Sequence, residues 1–222
     1  MGRLEVYDKL LMVPLFTGMS VRELESIVGA TRLLFRKVEQ GDLVAADGDP
    51  CGRLVILVEG RLCMTTQADD HALTVEEELS GGHVLQPECA FGLRQRFTRT
   101  YRALTACSLI SIDKKETLRL TSDSLIFRLN LMNLISTTLQ KENRKAWRRP
   151  PRSLEERVVR FLADRCLFPT GRKVFRVTMA RLAQEFDEDR RTISQALNAL
   201  QDRAVLTLHR GRIEVPALEN LS

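Results

Sequence analysis

The chain has 222 residues, 44% hydrophobic and 28% charged, which is enough for a sizeable core in one or two domains. No apolar run approaches the roughly 18 residues that span a bilayer, and the opening MGRLEVYDKLLMVPLF carries Glu5 and Asp8 without a small-residue cleavage pattern, so a membrane span and a secretory signal are both excluded from the reading. The net charge of +5 is uneven: residues 141–222 hold 18 Lys+Arg against 11 Asp+Glu and the first 140 are slightly acidic, as in a sensor joined to a polyanion binder.

In chain order, Ser20 and Glu23 form a capping-box pattern that opens a short helix, SVRELESIVGA, stopping near Gly29. The pattern then changes to period two. The runs RLLFRKV, RLVILVEGRLCMT, ALTVEEELSGGHVL and YRALTACSLISID alternate with Gly/Asp/Pro turns, which predicts a small barrel or sandwich. Cys51, Cys63, Cys89, Cys107 and Cys166 are odd in number and widely spaced, as expected of a reduced, cytoplasmic protein and not of a disulfide scaffold.

Helical character returns near residue 114. In SDSLIFRLNLMNLISTTLQKENRKAW, Leu125, Leu129, Met132, Ser136, Leu139 and Asn143 follow a 4-3-4-3-4 spacing, a heptad seam that predicts a symmetric homodimer. RRPPRS at 148–153 is the hinge, because Pro150 and Pro151 cannot continue a helix. Ser153 with Glu156 opens the next helix.

The C-terminal segment carries the sharpest signal. Thr178 caps a helix whose apolar face is Met179, Leu182, Ala183 and Phe186; a turn at Asp187 and Glu188 leads to a second with Ile193, Ala196, Leu197 and Leu200. VLTLHRGRIEV then makes a hairpin wing. Asp189 is a good N-cap, yet Arg190 and Arg191 follow it directly, where their charge opposes the helix dipole. An external polyanion offsets that cost if this is the recognition helix of a winged helix-turn-helix on double-stranded DNA. Arginine suits guanine and Gln195 suits adenine, Thr192 and Ser194 suit phosphates or bases, and His209, Arg210 and Arg212 on the wing suit the backbone. The expected DNA-binding set is Thr178, Asp189, Arg190, Arg191, Thr192, Ser194, Gln195, His209, Arg210 and Arg212.

Taken together, the chain resembles a Crp/Fnr-type transcription regulator over nearly its full length. PLFTGMSVRELESI resembles that family's opening helix, EQGDLVAADGDPCGRLVILVEGRL its first roll strands with Gly41, Gly48 and Gly60 at the turns, and the heptad segment its dimer helix. The resemblance implies an α+β architecture with a β-roll (double-stranded β-helix, cupin-like) sensor over 1–121, a dimerisation helix over 122–147 and a winged helix-turn-helix over 148–222. It implies a palindromic operator, and RNA polymerase as a partner through the LFPTGRK loop.

Cyclic-nucleotide members carry Gly-Glu and then Arg-Ser/Thr-Ala, because a cyclic phosphate needs an arginine and several donors. Anchored on RALTAC, this sequence has Phe97 at the arginine position, Arg99 at the small-residue position and Pro87 near the glutamate. That argues against cyclic AMP, although a slip in the alignment would bring Glu88 or Arg99–Thr100 back into register. The effector-pocket candidates are Met64, His71, His83, Glu88, Thr98, Arg99, Thr100, Ser136 and Thr137, with haem as the alternative ligand because His, Met and Cys are its ordinary partners. A haem-handling protein is the competing function, and reactive thiols at Cys51 or Cys89 would make a redox sensor. Clustered iron–sulfur spacing is missing, as are a nucleophile–base pair, a P-loop and metal-ligand spacing, so an enzyme is not expected.

Overall fold

The computed structural model describes residues 3–221, so the reading of residues 1–16 as lacking a signal falls partly outside it. Contacts divide the chain into two units, residues 1–62 with 79–146, and residues 63–78 with 147–222. The sequence reading placed the C-terminal boundary at 148 alone, whereas the packing also assigns residues 63–78 to the C-terminal unit.

The first unit opens with α1 (Arg3–Leu11), a 3-10 turn (Pro14–Phe16) and α2 (Val21–Ala30). The Ser20–Glu23 capping box forms in both directions. Its strands are β1 (Leu33–Val38), β2 (Leu43–Ala45), β3 (Arg53–Glu59), β6 (His83–Leu85), β7 (Thr100–Ala103) and β8 (Cys107–Asp113). One antiparallel sheet runs β1-β8-β3-β6, and β2 pairs with β7, giving a jelly-roll-like sandwich. Alternation drives it: Leu54 and Ile56 of β3 are fully buried, as are Ile112 and Ile110 opposite them on β8. Gly60, at φ +94°, is a turn that no other residue fits, since a Cβ there would sit 2.5 Å from the Ala106 carbonyl oxygen.

The helical region divides at Ser124 into α3 (Lys114–Asp123) and α4 (Leu125–Lys145). Ser124 is extended and accepts from the Phe127 N–H, so the long helix starts at 125 where the sequence reading started it at 122. One side of α4 is core: Phe127 is fully buried against Phe16, and Asn130 donates to the carbonyls of Leu15 and Thr17. The opposite side is exposed. No helix among the described residues is long and apolar enough to cross a membrane.

The second unit contains α5 (Leu154–Asp164), β9 (Lys173–Val177), α6 (Met179–Phe186), α7 (Arg190–Asp202), β10 (Thr207–His209) and β11 (Arg212–Val215). Ser153 caps α5 through the Glu156 N–H, but the Glu156 carboxylate accepts from Arg152 N–H, so the reciprocal arm of the capping box lands one residue early. The hairpin of β4 (Arg61–Gln67) and β5 (Leu73–Ser80) enters this unit, where the sheet order is β10-β11-β9-β5-β4. Leu73 and Val75 of β5 join Phe161, Phe175, Leu182 and Leu197 in one core.

Candidate nucleic-acid interface and sensor pocket

The α6–α7 pair is built around its caps and its turn. Thr178 accepts from the Arg181 N–H, starting α6, and Asp187 ends it in the left-handed conformation at φ +53°. Asp tolerates that conformation better than bulkier residues. Arg157 of α5 then fixes the turn from outside: it donates to the Phe186 carbonyl, pairs with Glu188 at 3.1 Å and lies over the Phe186 ring. Nothing in the local sequence connects Arg157 to a turn some thirty residues on, and the sequence reading missed it.

Asp189 caps α7. Its carboxylate accepts from the Thr192 N–H and hydroxyl, both at 2.8 Å, and these bonds hold it below the usual aspartate range. Ile193, Ala196, Leu197 and Leu200 are all buried, which fixes the rotation of the helix. Arg190, Arg191 and Gln195 are left on its exposed side, with Thr192 and Ser194 half-buried between them. Asp189 and the Thr192 hydroxyl are therefore engaged with each other at the cap, while the two arginines project from the first turn. In the hairpin that follows, Gly211 turns at φ +70°. Glu214 gathers Arg212 at 2.8 Å, Arg172 at 2.9 Å and His209 at 3.5 Å, and Arg210 stands exposed at the tip. Gln201 accepts from the Leu208 N–H, tying this hairpin to the end of α7.

In the first unit, Phe97 is buried, edge-on to the ring of Tyr101. Gln86, itself buried, donates to the Thr98 hydroxyl at 2.7 Å and accepts from the Thr98 N–H at 3.2 Å. Gln86 has φ +40°, a conformation costing a side-chain-bearing residue about 1–3 kcal/mol. The donors that would face a cyclic phosphate are thus turned onto the chain's own glutamine, Pro87 has no N–H, and the arginine position is an apolar ring. These residues do not fit a cyclic nucleotide.

Glu88 and Arg99 do come together, at 3.6 Å, beside Tyr101, whose hydroxyl burial pushes above its ordinary range. The Arg99 Nε is buried without a hydrogen-bond partner among the described residues. Thr100 accepts from the Asp47 N–H. α4 passes the 3-10 turn Pro87–Ala90, and its Ser136 and Thr137 are exposed.

Of the haem candidates, Met64 is fully buried on β4, His71 is exposed in the turn that follows that strand, and the His83 Nδ1 lies 2.7 Å from the Ser80 carbonyl oxygen. Burial holds the Cys51 thiol at about 11, with nearby Cys89 adding to the rise, and burial raises Cys89 as well. Burial thus disfavours the thiolate, the nucleophilic form, at both cysteines.

Residues 35–124 match the cyclic nucleotide-binding domain. Solved structures that share the fold include transcriptional regulators. The catabolite activator protein of Thermus thermophilus is 19% identical and aligns over 94% of this chain and 96% of its own, with a TM-score of 0.52. The c-di-GMP-responsive global regulator CLP of Xanthomonas campestris is also 19% identical, over 89% of this chain and 99% of its own, at 0.54. The sensor domain of the regulator DNR from Pseudomonas aeruginosa aligns over 68% of this chain and 97% of its own at 18% identity and 0.51. At these identities the likeness is one of fold. No curated protein matches the chain. The domain match covers the segment that carries Gln86, Phe97 and Thr98.

Proposed function

We propose that the chain is a homodimeric, sequence-specific DNA-binding transcription regulator, and that α6, α7 and the β10–β11 hairpin are its winged helix-turn-helix. One observation carries the reading. Arg190 and Arg191 are exposed on the first turn of a capped helix whose opposite face is buried, and positive charge at that end is favourable only against an external anion. Gln195 one turn on, Ser194 between them, and Arg210 and Thr178 at the edges extend the contact surface. The operator is a palindrome with half-sites about 34–36 Å apart, bound across the major groove. The exposed 169–172 segment is the surface offered to RNA polymerase. Selection of bound duplexes from a random pool, followed by a shift assay, tests the reading: recovered sequences without a shared palindromic motif would refute it.

The dimer forms through the exposed seam of α4. Leu125, Leu129, Met132 and Leu139 are each about half or more exposed in the single chain, an apolar stripe that calls for a partner. Ser136 and Asn143 on the same seam set its register. The double variant Met132→Glu/Leu139→Glu should run at the mass of one chain in light scattering where the parent runs at two; a variant that stays dimeric refutes this interface.

The sensor unit answers to an effector other than cyclic AMP, acting at the Glu88–Arg99–Tyr101 cluster. Titration with cyclic AMP is expected to give no saturable heat, corresponding to a Kd weaker than about 1 mM. Replacing Phe97 with arginine and Gln86 with glycine puts a charge into a buried position and costs stability; in a double variant that keeps the parent's circular dichroism, a gain of cyclic AMP binding would locate the block at those two residues.

A further inference from the structure

β5 pairs with β9 in antiparallel register over five residues, Leu73 opposite Val177 through Glu77 opposite Lys173. At the end of that ladder Glu77 and Lys173 form an ion pair at 2.9 Å, each side chain 1% exposed. The Glu77 carboxylate also accepts from the N–H groups of Leu167 and Phe168, at 2.9 and 3.1 Å. One carboxylate therefore closes both ends of the 167–173 loop onto the hairpin. The rest of the strand is fastened as well: Arg176 pairs with Glu76 at 2.8 Å, and Asp70 at the hairpin tip lies 3.4 Å from Arg181 of α6.

β9 is in turn hydrogen-bonded to β11, with Phe175 opposite Ile213 and Arg176 opposite Arg212. The wing thus rests on a strand whose other edge is filled by residues 73–77. A strand with one edge empty would be free to twist and shift, whereas one paired on both sides is held in register.

We propose that the β4–β5 hairpin is a working strand of the DNA-reading unit, with Glu77 as its positioning residue. Its chain leaves the sensor unit at 62–63 and re-enters it at 78–79, so the two units are joined by three covalent crossings, of which the 146–147 linker is one. A displacement of the hairpin strands is delivered to β9 and the wing without passing through α4. The proposal rests on the DNA-binding reading above and names its regulatory input.

The test uses the full chain and measures hydrogen exchange by mass spectrometry together with affinity for the selected duplex. In the parent, segments 73–77 and 173–177 should exchange together. Glu77→Ala should speed exchange at least tenfold in both segments, at Leu167 and Phe168, and in the wing at 207–215, with β3 and β8 unchanged, and should weaken duplex binding at least tenfold. Glu77→Gln keeps an acceptor for the loop N–H groups and should restore protection at 167–168. Wing exchange and duplex affinity within twofold of the parent in Glu77→Ala, or a 73–77 segment that exchanges in step with β3, would overturn the proposal. The two readings fail differently: a parent that binds no duplex refutes DNA binding, whereas a parent that binds and a Glu77→Ala protein that binds equally well refutes only the hairpin's role.

Discussion

Replacing Arg190 and Arg191 together with alanine should remove sequence-specific duplex binding while leaving the fold as stable as before, or slightly more so. A bidentate arginine–guanine contact is worth about 1–3 kcal/mol of discrimination. Two such contacts predict a loss between roughly 30-fold and 20,000-fold, at about 1.4 kcal/mol per factor of ten. Stability moves the other way. Arginine and alanine are both good helix formers, and each positive charge in the first turn of a helix is unfavourable by about 0.3–1 kcal/mol. The Asp189–Thr192 cap does not involve either arginine side chain, and the four buried residues of α7 are untouched. Opposite signs on affinity and stability are what separate a binding residue from a structural one. Arg210→Ala on the wing is the natural companion: a backbone contact there weakens all sequences about equally and lowers the salt slope by about one. Denaturant titration and shift assays at fixed salt read both effects, and a double variant that keeps its preference among duplexes would refute the recognition-helix assignment.

The second large effect lies at Lys173. Its partner Glu77 is 1% exposed, so Lys173→Met leaves a carboxylate buried with two backbone N–H groups but no countercharge. Breaking one side of such a pair costs about 3–5 kcal/mol, because the remaining charge cannot reach water. Removing both partners is different. In Glu77→Leu/Lys173→Met no buried charge remains, and the residual penalty comes from the Leu167 and Phe168 N–H groups, at about 1–3 kcal/mol for each that stays unpaired. The double variant should therefore be no worse than the single and is expected to recover part of its loss. Reversing the pair, Glu77→Lys/Lys173→Glu, should not rescue stability, because position 77 must present an acceptor to those two N–H groups. Protection of the α7 amides under native conditions reports the stability of the C-terminal unit directly. A Lys173→Met protein as stable as its parent would show that the pair contributes nothing.

Much of the candidate interface was legible in the sequence because its determinants are local. The Asp189 cap, the Arg190–Arg191 anomaly and the 3.6-residue apolar stripe all lie within a few turns of one helix, and each is a short-range property of the chain. The same holds for α4, where the 4-3-4-3-4 spacing picks out residues that are all exposed in the single chain, and for the departure from the cyclic-nucleotide motif at Phe97. Resemblance supplied the roll, and the positive φ of Gly41, Gly48 and Gly60 fits the turns expected of them. Met64 and His71, two of the haem candidates, are seven residues apart on one hairpin, yet one is core and the other lies in the turn, a difference that residue identity does not carry.

By itself, then, the sequence determined two helices with their caps, an exposed arginine pair, a seam and a set of short strands. What only the tertiary structure decided is which strands meet. β5 alternates as any half-buried strand does, and its pattern contains one visible oddity, Glu77 on the same parity as Leu73, Val75 and Leu79. That parity predicts a buried acid but not its partner, which lies 96 positions on at Lys173. Period-two patterning specifies a strand's faces and leaves its neighbour open, and a pairing across some hundred residues is set by the whole core that collapses around it. The same applies to Gln86, which meets Thr98 only because the turn between β6 and β7 folds back on itself. Caps, stripes and charges are written in neighbouring residues; strand partners and buried pairs are settled by packing.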